Sequence, residues 1–203
     1  MKIICIGRNY AEHAKEMKAE TPTEPVFFMK PESAIVRNGD PFFYPDFSKE
    51  VHHEVEIILR VCKNGKNVQK KFAHTYYDAI AIGIDFTARD LQAQCKAKGL
   101  PWEKAKAFDG SAPMGEFMPL SHFKDIHNLN FNLDINGKTV QKGNTKDLIF
   151  SYDTVIEYIS RFVTLKMGDL IYTGTPEGVG PVTIGDKMEA FIEGEKLFSC
   201  SVK

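Results

Sequence analysis

Cysteine is scarce in this chain of 203 residues: the four that exist, Cys5, Cys62, Cys95 and Cys200, are widely spaced and form no C-x-x-C pair. That argues against a zinc site built on thiolates and against a disulfide framework, leaving the four as small apolar side chains. An excess of one charge is also lacking. Lys and Arg total 26 against 27 Asp and Glu, so no broad field favours nucleic acid or an anionic membrane surface. No apolar run approaches the roughly 20 residues of a membrane helix, and the run Ile3 to Ile6 is far too short for the core of a signal peptide. The expectation is a soluble, cytoplasmic protein with small-molecule or protein partners, no nucleic acid and no membrane. Internal repeats, low-complexity tracts and linkers are absent as well. With 43% hydrophobic residues, the length suits one core and a single domain over 1–203.

What is present is a string of short apolar segments separated by turn residues. KIICI at 2–6 reads as a strand that stops at Gly7, and NYAEHAKEMK has helix-forming composition until TPTEP breaks it. That helix reads as short and exposed. VFFMK and SAIV read as brief strands on either side of Lys30-Pro31, while PFFYP, bracketed by prolines, is kept out of a central sheet position. HHEVEIILRVC is the strongest strand of the first half, with Asn64-Gly65 as its expected turn. DAIAIGIDF is a nearly continuous apolar run ending at Asp85; in TARDLQAQCKAKG, Thr87 is the expected helix N-cap and Gly99 the stop. LNFNLDINGKTVQKG reads as a hairpin turning at Asn136-Gly137, and DTVIEYISRFVTL as a helix with Val155, Ile156, Ile159, Phe162 and Val163 on one face. From Gly168 onward short strands alternate with Gly-Asp and Gly-Glu turns. The class is α+β, rich in strand, with helices few and short.

In a strand, residues i and i+2 share a face, so Glu54 and Glu56 project together with their Cβ atoms about 7 Å apart. Buried without partners, each carboxylate would carry a desolvation cost of several kcal/mol, so either that face is wet or a cation lies between them. The pair alone leaves both open. Asp85 adds a third carboxylate at the mouth of an apolar strand, where ligand sites gather in such sheets. Three carboxylates without a Cys or His cluster suit a hard divalent ion: Mg²⁺ prefers oxygen ligands and keeps sites for water or substrate, and Mn²⁺ fits nearly as well. His13 and Glu16, three positions apart, share a helix face on which the carboxylate can orient the imidazole and stabilise its protonated form; an ordinary exposed ion pair is the alternative. Arg89 and Gln92 stand one helical turn apart just after Asp85. Either both face the metal and bind carboxylate or water, or they belong to a polar helix face. YTGTPEGVG lacks the Walker ending and the G-x-G-x-x-G spacing, which excludes a phosphate-cradling loop. His52 and His53 have no assigned role, and neither is read as a metal ligand.

The segments GRNYAEH at 7–13, FMKP at 28–31, HHEVEI at 52–57, GIDFTARDLQ at 83–92, KGLPWEKAKAFD at 98–109 and YTGTPEGVGPV at 172–182 resemble, in order and along nearly the whole chain, the fumarylacetoacetate hydrolase family. GLPW followed by A-K, in a chain without the extra N-terminal domain of long members, is similar to the acylpyruvase-type branch. The resemblance implies a strand-rich mixed β roll or sandwich of the family's C-terminal-domain type, a homodimer, and Glu54, Glu56 and Asp85 as ligands of Mg²⁺ or Mn²⁺. It implies that His13 and Glu16 form the catalytic dyad, on a segment that closes over substrate with TPTEP as its lid. Lys106, which composition alone would leave as a solvated charge, is implied to hold a developing oxyanion, shielded by Trp102 and Phe108. Thr175 is implied to bind the substrate carboxylate, and Tyr10, Lys30 and Ser33 to line the pocket.

The implied substrates are 2-oxo acids with a second carbonyl, acylpyruvate-like 2,4-dioxo acids hydrolysed at a carbon–carbon bond to pyruvate and a carboxylic acid. Such an acid offers two oxygens to one ion, water attacks the other carbonyl, and the departing pyruvate fragment becomes an enolate. Decarboxylation of oxaloacetate and keto–enol or hydroxydiene isomerisation of a diacid pass through the same enolate. A non-catalytic module that binds a metal or a 2-oxo acid is the reading from a different class.

Overall fold

The computed structural model describes residues 1–16 and 21–203. In chain order the elements are β1 (Ile3–Gly7), α1 (Ala11–Glu16), β2 (Val26–Lys30), β3 (Ile35–Arg37), β4 (Val51–His53), β5 (Val55–Val61), β6 (Tyr77–Ile84), β7 (Thr87–Ala88), α2 (Arg89–Lys98) and α3 (Glu103–Lys106). There follow β8 (Ala112–Met114), β9 (Met118–Pro119), β10 (Asn130–Ile135), β11 (Lys138–Asn144), α4 (Tyr152–Phe162), β12 (Leu170–Tyr172), β13 (Gly180–Pro181), β14 (Lys187–Ile192) and β15 (Glu195–Ser201). Met17 and Lys18, the expected continuation of α1, lie outside the described residues. Strand-rich α+β, with few and short helices, is the class observed.

Three sheets carry the structure. The largest runs β2-β1-β12-β5-β6-β8-β3, with β9 added to β6; a second runs β11-β10-β14-β15, and a small third runs β13-β4-β7. Most neighbours are antiparallel, but β1 with β12 and β3 with β8 are parallel. Alternation along β5 shows how the core forms: Val55, Ile57, Leu59 and Val61 join the main cluster with α4 and the second sheet, whereas Ile58 faces the other way, into a smaller cluster with Cys5, Ala81 and Tyr172. Glu54 and Glu56 share the even register with Ile58, so a one-residue slip would push both carboxylates into the main core.

Local chemistry explains where sequence and structure agree or part. Asn136 and Gly137 both have positive φ, 53° and 77°, as a two-residue type I′ hairpin turn requires. Asn64-Gly65 makes no such turn: Gly65 exchanges backbone hydrogen bonds with Leu165, so a distant segment takes the groups a tight hairpin would use. The expected single strand over HHEVEIILRVC is broken at Glu54 into β4 and β5, which belong to different sheets. Thr87 is not the cap of α2. It lies in β7, the N-cap is Ala88, and Asp90 does the tethering, accepting from the Ser48 hydroxyl and the Lys49 N–H. In α4, Phe162 stands 56% exposed rather than on the buried face, because the helix ends there.

Candidate active site

Four strand ends converge on one edge of the large sheet. β5 begins there, antiparallel to β6 and β12, whose ends deliver Asp85 and the segment 173–175; β1, parallel to β12, ends beside them at Gly7. The register brings Glu54, Glu56 and Asp85 together, and one carboxylate oxygen from each lies within 4.8 Å of the others. All three are buried. Gly174 completes this floor: its φ of 108° is open only to glycine at ordinary cost, a Cβ would stand 2.6 Å from that of Asn9, and its N–H donates to Glu56 Oε2 at 2.8 Å.

Among the described residues, two of the carboxylates have side-chain cations and the third does not. Lys106 Nζ donates to Glu54 Oε2 and Asp85 Oδ2, both at 2.7 Å, and Arg89 donates to Glu54 Oε1. Burial opposes ionisation of Glu54, but Lys106 and then Arg89 outweigh it and hold that carboxyl well below the usual range. Burial likewise opposes a charged Lys106, yet Asp85 and Glu54 hold it protonated. For Glu56, burial and the neighbouring Asp85 both push the carboxyl well above its ordinary value. Among the described residues its one donor is the Gly174 N–H. Lys30, entirely buried at its head, lies 2.8 Å from Asp85 Oδ1 but shares its three N–H groups among the carbonyls of Phe86, Lys106 and Ser111 and the Ser111 hydroxyl, already more acceptors than donors. Asp85 Oδ1 therefore has a charge nearby and no hydrogen-bond donor. An orphaned buried oxygen beside an uncompensated carboxylate is what a divalent cation would satisfy, and an all-oxygen donor set fits Mg²⁺ or Mn²⁺.

The wall of this pocket is formed by His13, Arg8, Arg89, Gln92, Lys96, Trp102, Phe28, Lys106 and Thr175. The enclosed part of the cavity measures about 40 Å³, enough for an ion, and the pocket is open beyond it. His13 is buried, contrary to the exposed helix expected, and its Nδ1 lies 3.2 Å from Glu16 Oε2. Glu16 is anchored in turn by the Gly178 N–H, which donates to Oε1 at 3.1 Å, so the dyad is tied to the loop that follows Thr175. Arg89 also donates to Gln92 Oε1 at 2.8 Å, placing both residues of that predicted pair on the pocket side of α2. Lys106 is shielded by Phe28, whose ring centroid is 5.0 Å from Nζ and packs against Trp102; Phe108 instead stands near Lys30.

Gln141, from the middle of β11, is the residue that the sequence did not disclose. Its amide nitrogen donates to the Pro176 carbonyl and to Thr175 Oγ1, both at 3.0 Å; its carbonyl oxygen accepts from the Val55 N–H and faces His53 Nδ1 at 2.8 Å. Because that oxygen only accepts, His53 carries its proton on Nδ1, and burial keeps the ring below its ordinary pKa. The Thr175 oxygen already accepts, so its O–H is left to donate into the pocket. Neither His53 nor His52, which pairs with Glu50 and Arg89, lines the cavity.

Two expected lining residues lie elsewhere. Tyr10 packs edge-on against Phe131 and borders a separate cleft with Pro176 and Glu177, because its strand-like bridge to Leu148 turns it from the acids. Ser33 is exposed on the turn after Pro31 and contributes a backbone carbonyl to Gly110. Size does not locate the site. A surface cleft of about 700 Å³ between Met1, Arg37, Arg60 and Phe117 is far larger but has no buried carboxylate cluster or histidine.

Comparisons with known proteins place the chain in a family. The family model described as fumarylacetoacetate (FAA) hydrolase C-terminal matches residues 2–202. Oxaloacetate tautomerase FAHD1, mitochondrial, of Mus musculus is 44% identical over 201 residues, covering 99% of this chain and 91% of that protein. A crystal structure of a family protein from Yersinia pestis superposes with a TM-score of 0.95 at 41% identity, covering 100% of this chain and 93% of the other. Fumarylpyruvate hydrolase from Pseudomonas aeruginosa, solved in complex with Mn²⁺ and pyruvate, gives 0.93 at 38% identity, covering 100% and 89%. With its sheets, its acidic triad and its full-length matches in place, the chain belongs to the fumarylacetoacetate hydrolase family.

Proposed function

We propose that the chain is a metal-dependent enzyme of 2-oxo acids that works through an enolate, and that keto–enol tautomerisation of oxaloacetate is its reaction. The observation that carries this is the position of His13, held by Glu16, on the wall of the same cavity that holds Glu54, Glu56 and Asp85. A divalent ion at the three carboxylates would polarise the keto oxygen of the substrate and so acidify the neighbouring methylene. His13 takes a proton from that methylene; Glu16, fixed by Gly178, stabilises the imidazolium; return of the proton at oxygen gives the enol, with no net change of atoms or electrons. Lys106 has a third N–H beyond the two given to Glu54 and Asp85, available to the oxygen on which charge develops. Thr175 O–H and Arg89 bind the carboxylate end.

Hydrolysis of acylpyruvate-like 2,4-dioxo acids is the second reading, supported by the relative solved with Mn²⁺ and pyruvate. It uses the same residues but asks His13 to activate water. The homodimer implied by resemblance belongs to this proposal and is tested by light scattering, which should return twice the 22.9 kDa chain mass. The test of function is the ultraviolet decay of enol oxaloacetate with Mg²⁺ or Mn²⁺, run beside pyruvate release from acetylpyruvate. Wild-type protein should accelerate the decay, and His13→Ala should lose about 10²–10⁴-fold. Equal rates for the two proteins would end the dyad assignment; pyruvate release without tautomerisation would favour hydrolysis.

A further inference from the structure

Beyond the acids and their partners, the pocket is lined by two cations that the chemistry above does not use. Arg8 follows β1 directly, and its φ of 58° is a left-handed conformation that costs a non-glycine residue on the order of 1–3 kcal/mol. Lys96 lies on α2, two turns beyond Arg89, with Nζ 5.6 Å from the centroid of Trp102. Its stem is exposed, yet both it and Arg8 reach the cavity. Arg8, Arg89 and Lys96 line the same pocket, and burial, then the charges of Arg89 and Arg8, push the Lys96 ammonium below its ordinary value. Arg89 is neutralised by Glu54, and Lys106 by Glu54 and Asp85. Among the described residues no carboxylate pairs with Arg8 or Lys96. Unpaired cations crowded at a pocket rim repel one another, and an anion arriving with the ligand relieves that repulsion.

We propose that Arg8 and Lys96 form a subsite for a second carboxylate, so that the site selects dicarboxylic 2-oxo acids over monocarboxylic ones. This rests on the proposed 2-oxo acid function and sharpens its substrate class. A 2-oxo acid with its first carboxylate and keto oxygen over the acids extends its remaining carbons toward the mouth, where a guanidinium and an ammonium stacked on Trp102 meet the distal charge. The arrangement also explains why a strand end accepts a strained arginine: the left-handed turn presents the side chain to the cavity as the chain leaves for α1.

The test compares oxaloacetate with pyruvate, which differ by one carboxylate. Binding to the Mg²⁺-loaded protein is measured by calorimetric competition for wild type, Lys96→Met, Lys96→Arg and Arg8→Gln, with turnover of oxaloacetate and acetylpyruvate recorded alongside. Wild type should bind oxaloacetate more tightly than pyruvate. Loss of one charge-assisted contact should cut that ratio about tenfold or more in Lys96→Met and Arg8→Gln, and Lys96→Arg should restore it. A ratio unchanged in both charge-removing variants, or a wild type that prefers pyruvate, would overturn the subsite. Absence of turnover in wild type with the ratio still falling in the variants would instead count against the reaction and for the subsite. Lys96 lies on an exposed helix surface, so its variants keep the fold should Arg8→Gln disturb it.

Discussion

Glu56 shows how one residue can define a site. Glu54 and Asp85 taken alone form a buried ion network with Lys106, Arg89 and Lys30, an arrangement that structural cores can hold without any ligand. Glu56 adds a third carboxyl for which no side-chain cation is found among the described residues, and that surplus is what a divalent ion would satisfy and a salt-bridge cluster would not need. The glutamate pair and Asp85 were legible because strand periodicity and motif order are local properties. Gln141 was not, since its contacts to His53 and Thr175 span 88 and 34 residues and nothing in QKGN marks it. Replacing it with leucine strands the His53 and Val55 N–H groups and frees Thr175. Gln141→Leu should cost about 2 kcal/mol, lowering Tm by roughly 4–8 °C in calorimetry, and should weaken substrate binding more than metal binding. A Tm within a degree of wild type would show that the bridge is not structural.

At the scale of elements, the long apolar run of β6 and the Asn136-Gly137 hairpin were readable, because a strand buried on both faces and a type I′ turn each have a compact local signature. The break at Glu54 was not readable: HHEVEI alternates like one strand, and only the pairing of β4 with β7 and β13 takes its first half into another sheet. The start of α2 misleads in the same way. Thr87 has the right chemistry for a cap but is committed to β7, and Asp90 instead ties the helix to Ser48 and Lys49. Burial opposes it, but the hydrogen bonds from Ser48 and the backbone together outweigh burial and hold the Asp90 carboxyl below its ordinary value. A depressed folded-state pKa contributes stability above the unfolded value, about 3.9, and that contribution is lost as pH falls below it. Asp90→Asn should therefore lower stability at pH 7 by an amount on the order of 0.5–1 kcal/mol, discounted for exposure, or Tm by roughly 1–4 °C. The difference from wild type should shrink progressively as pH falls below about 3.9 and through the depressed folded-state pKa. A difference constant from pH 7 to pH 3 would contradict this role.

The whole molecule turns on convergence. β1, β5, β6 and β12 meet at one edge of the sheet and deliver Gly7, the two glutamates, Asp85 and Gly174 within a few ångströms, while α1 and the loop 173–178 close the pocket from opposite chain positions and are linked by Glu16 and Gly178. No single segment contains the site, which is why its three acids are legible in the sequence but its cage is not: Lys30 has no role assigned from the sequence, and nothing local marks Arg8 or Lys96. The same convergence makes the acids interdependent. A cation there should bind once per chain and depend on Glu56, the carboxylate that no side-chain cation faces among the described residues.

That dependence is measured by titrating metal-free protein with Mn²⁺ and following free ion by electron paramagnetic resonance, for wild type and Glu56→Gln. Glutamine keeps the volume and can still accept the Gly174 N–H, so only the charge is removed. The expected result is one Mn²⁺ per wild-type chain, displaced by Mg²⁺, with affinity in Glu56→Gln reduced by well over the roughly 10–100-fold that outer-shell partners are worth. Wild-type protein that binds no Mn²⁺, or a variant that binds it as tightly as wild type, would contradict the account.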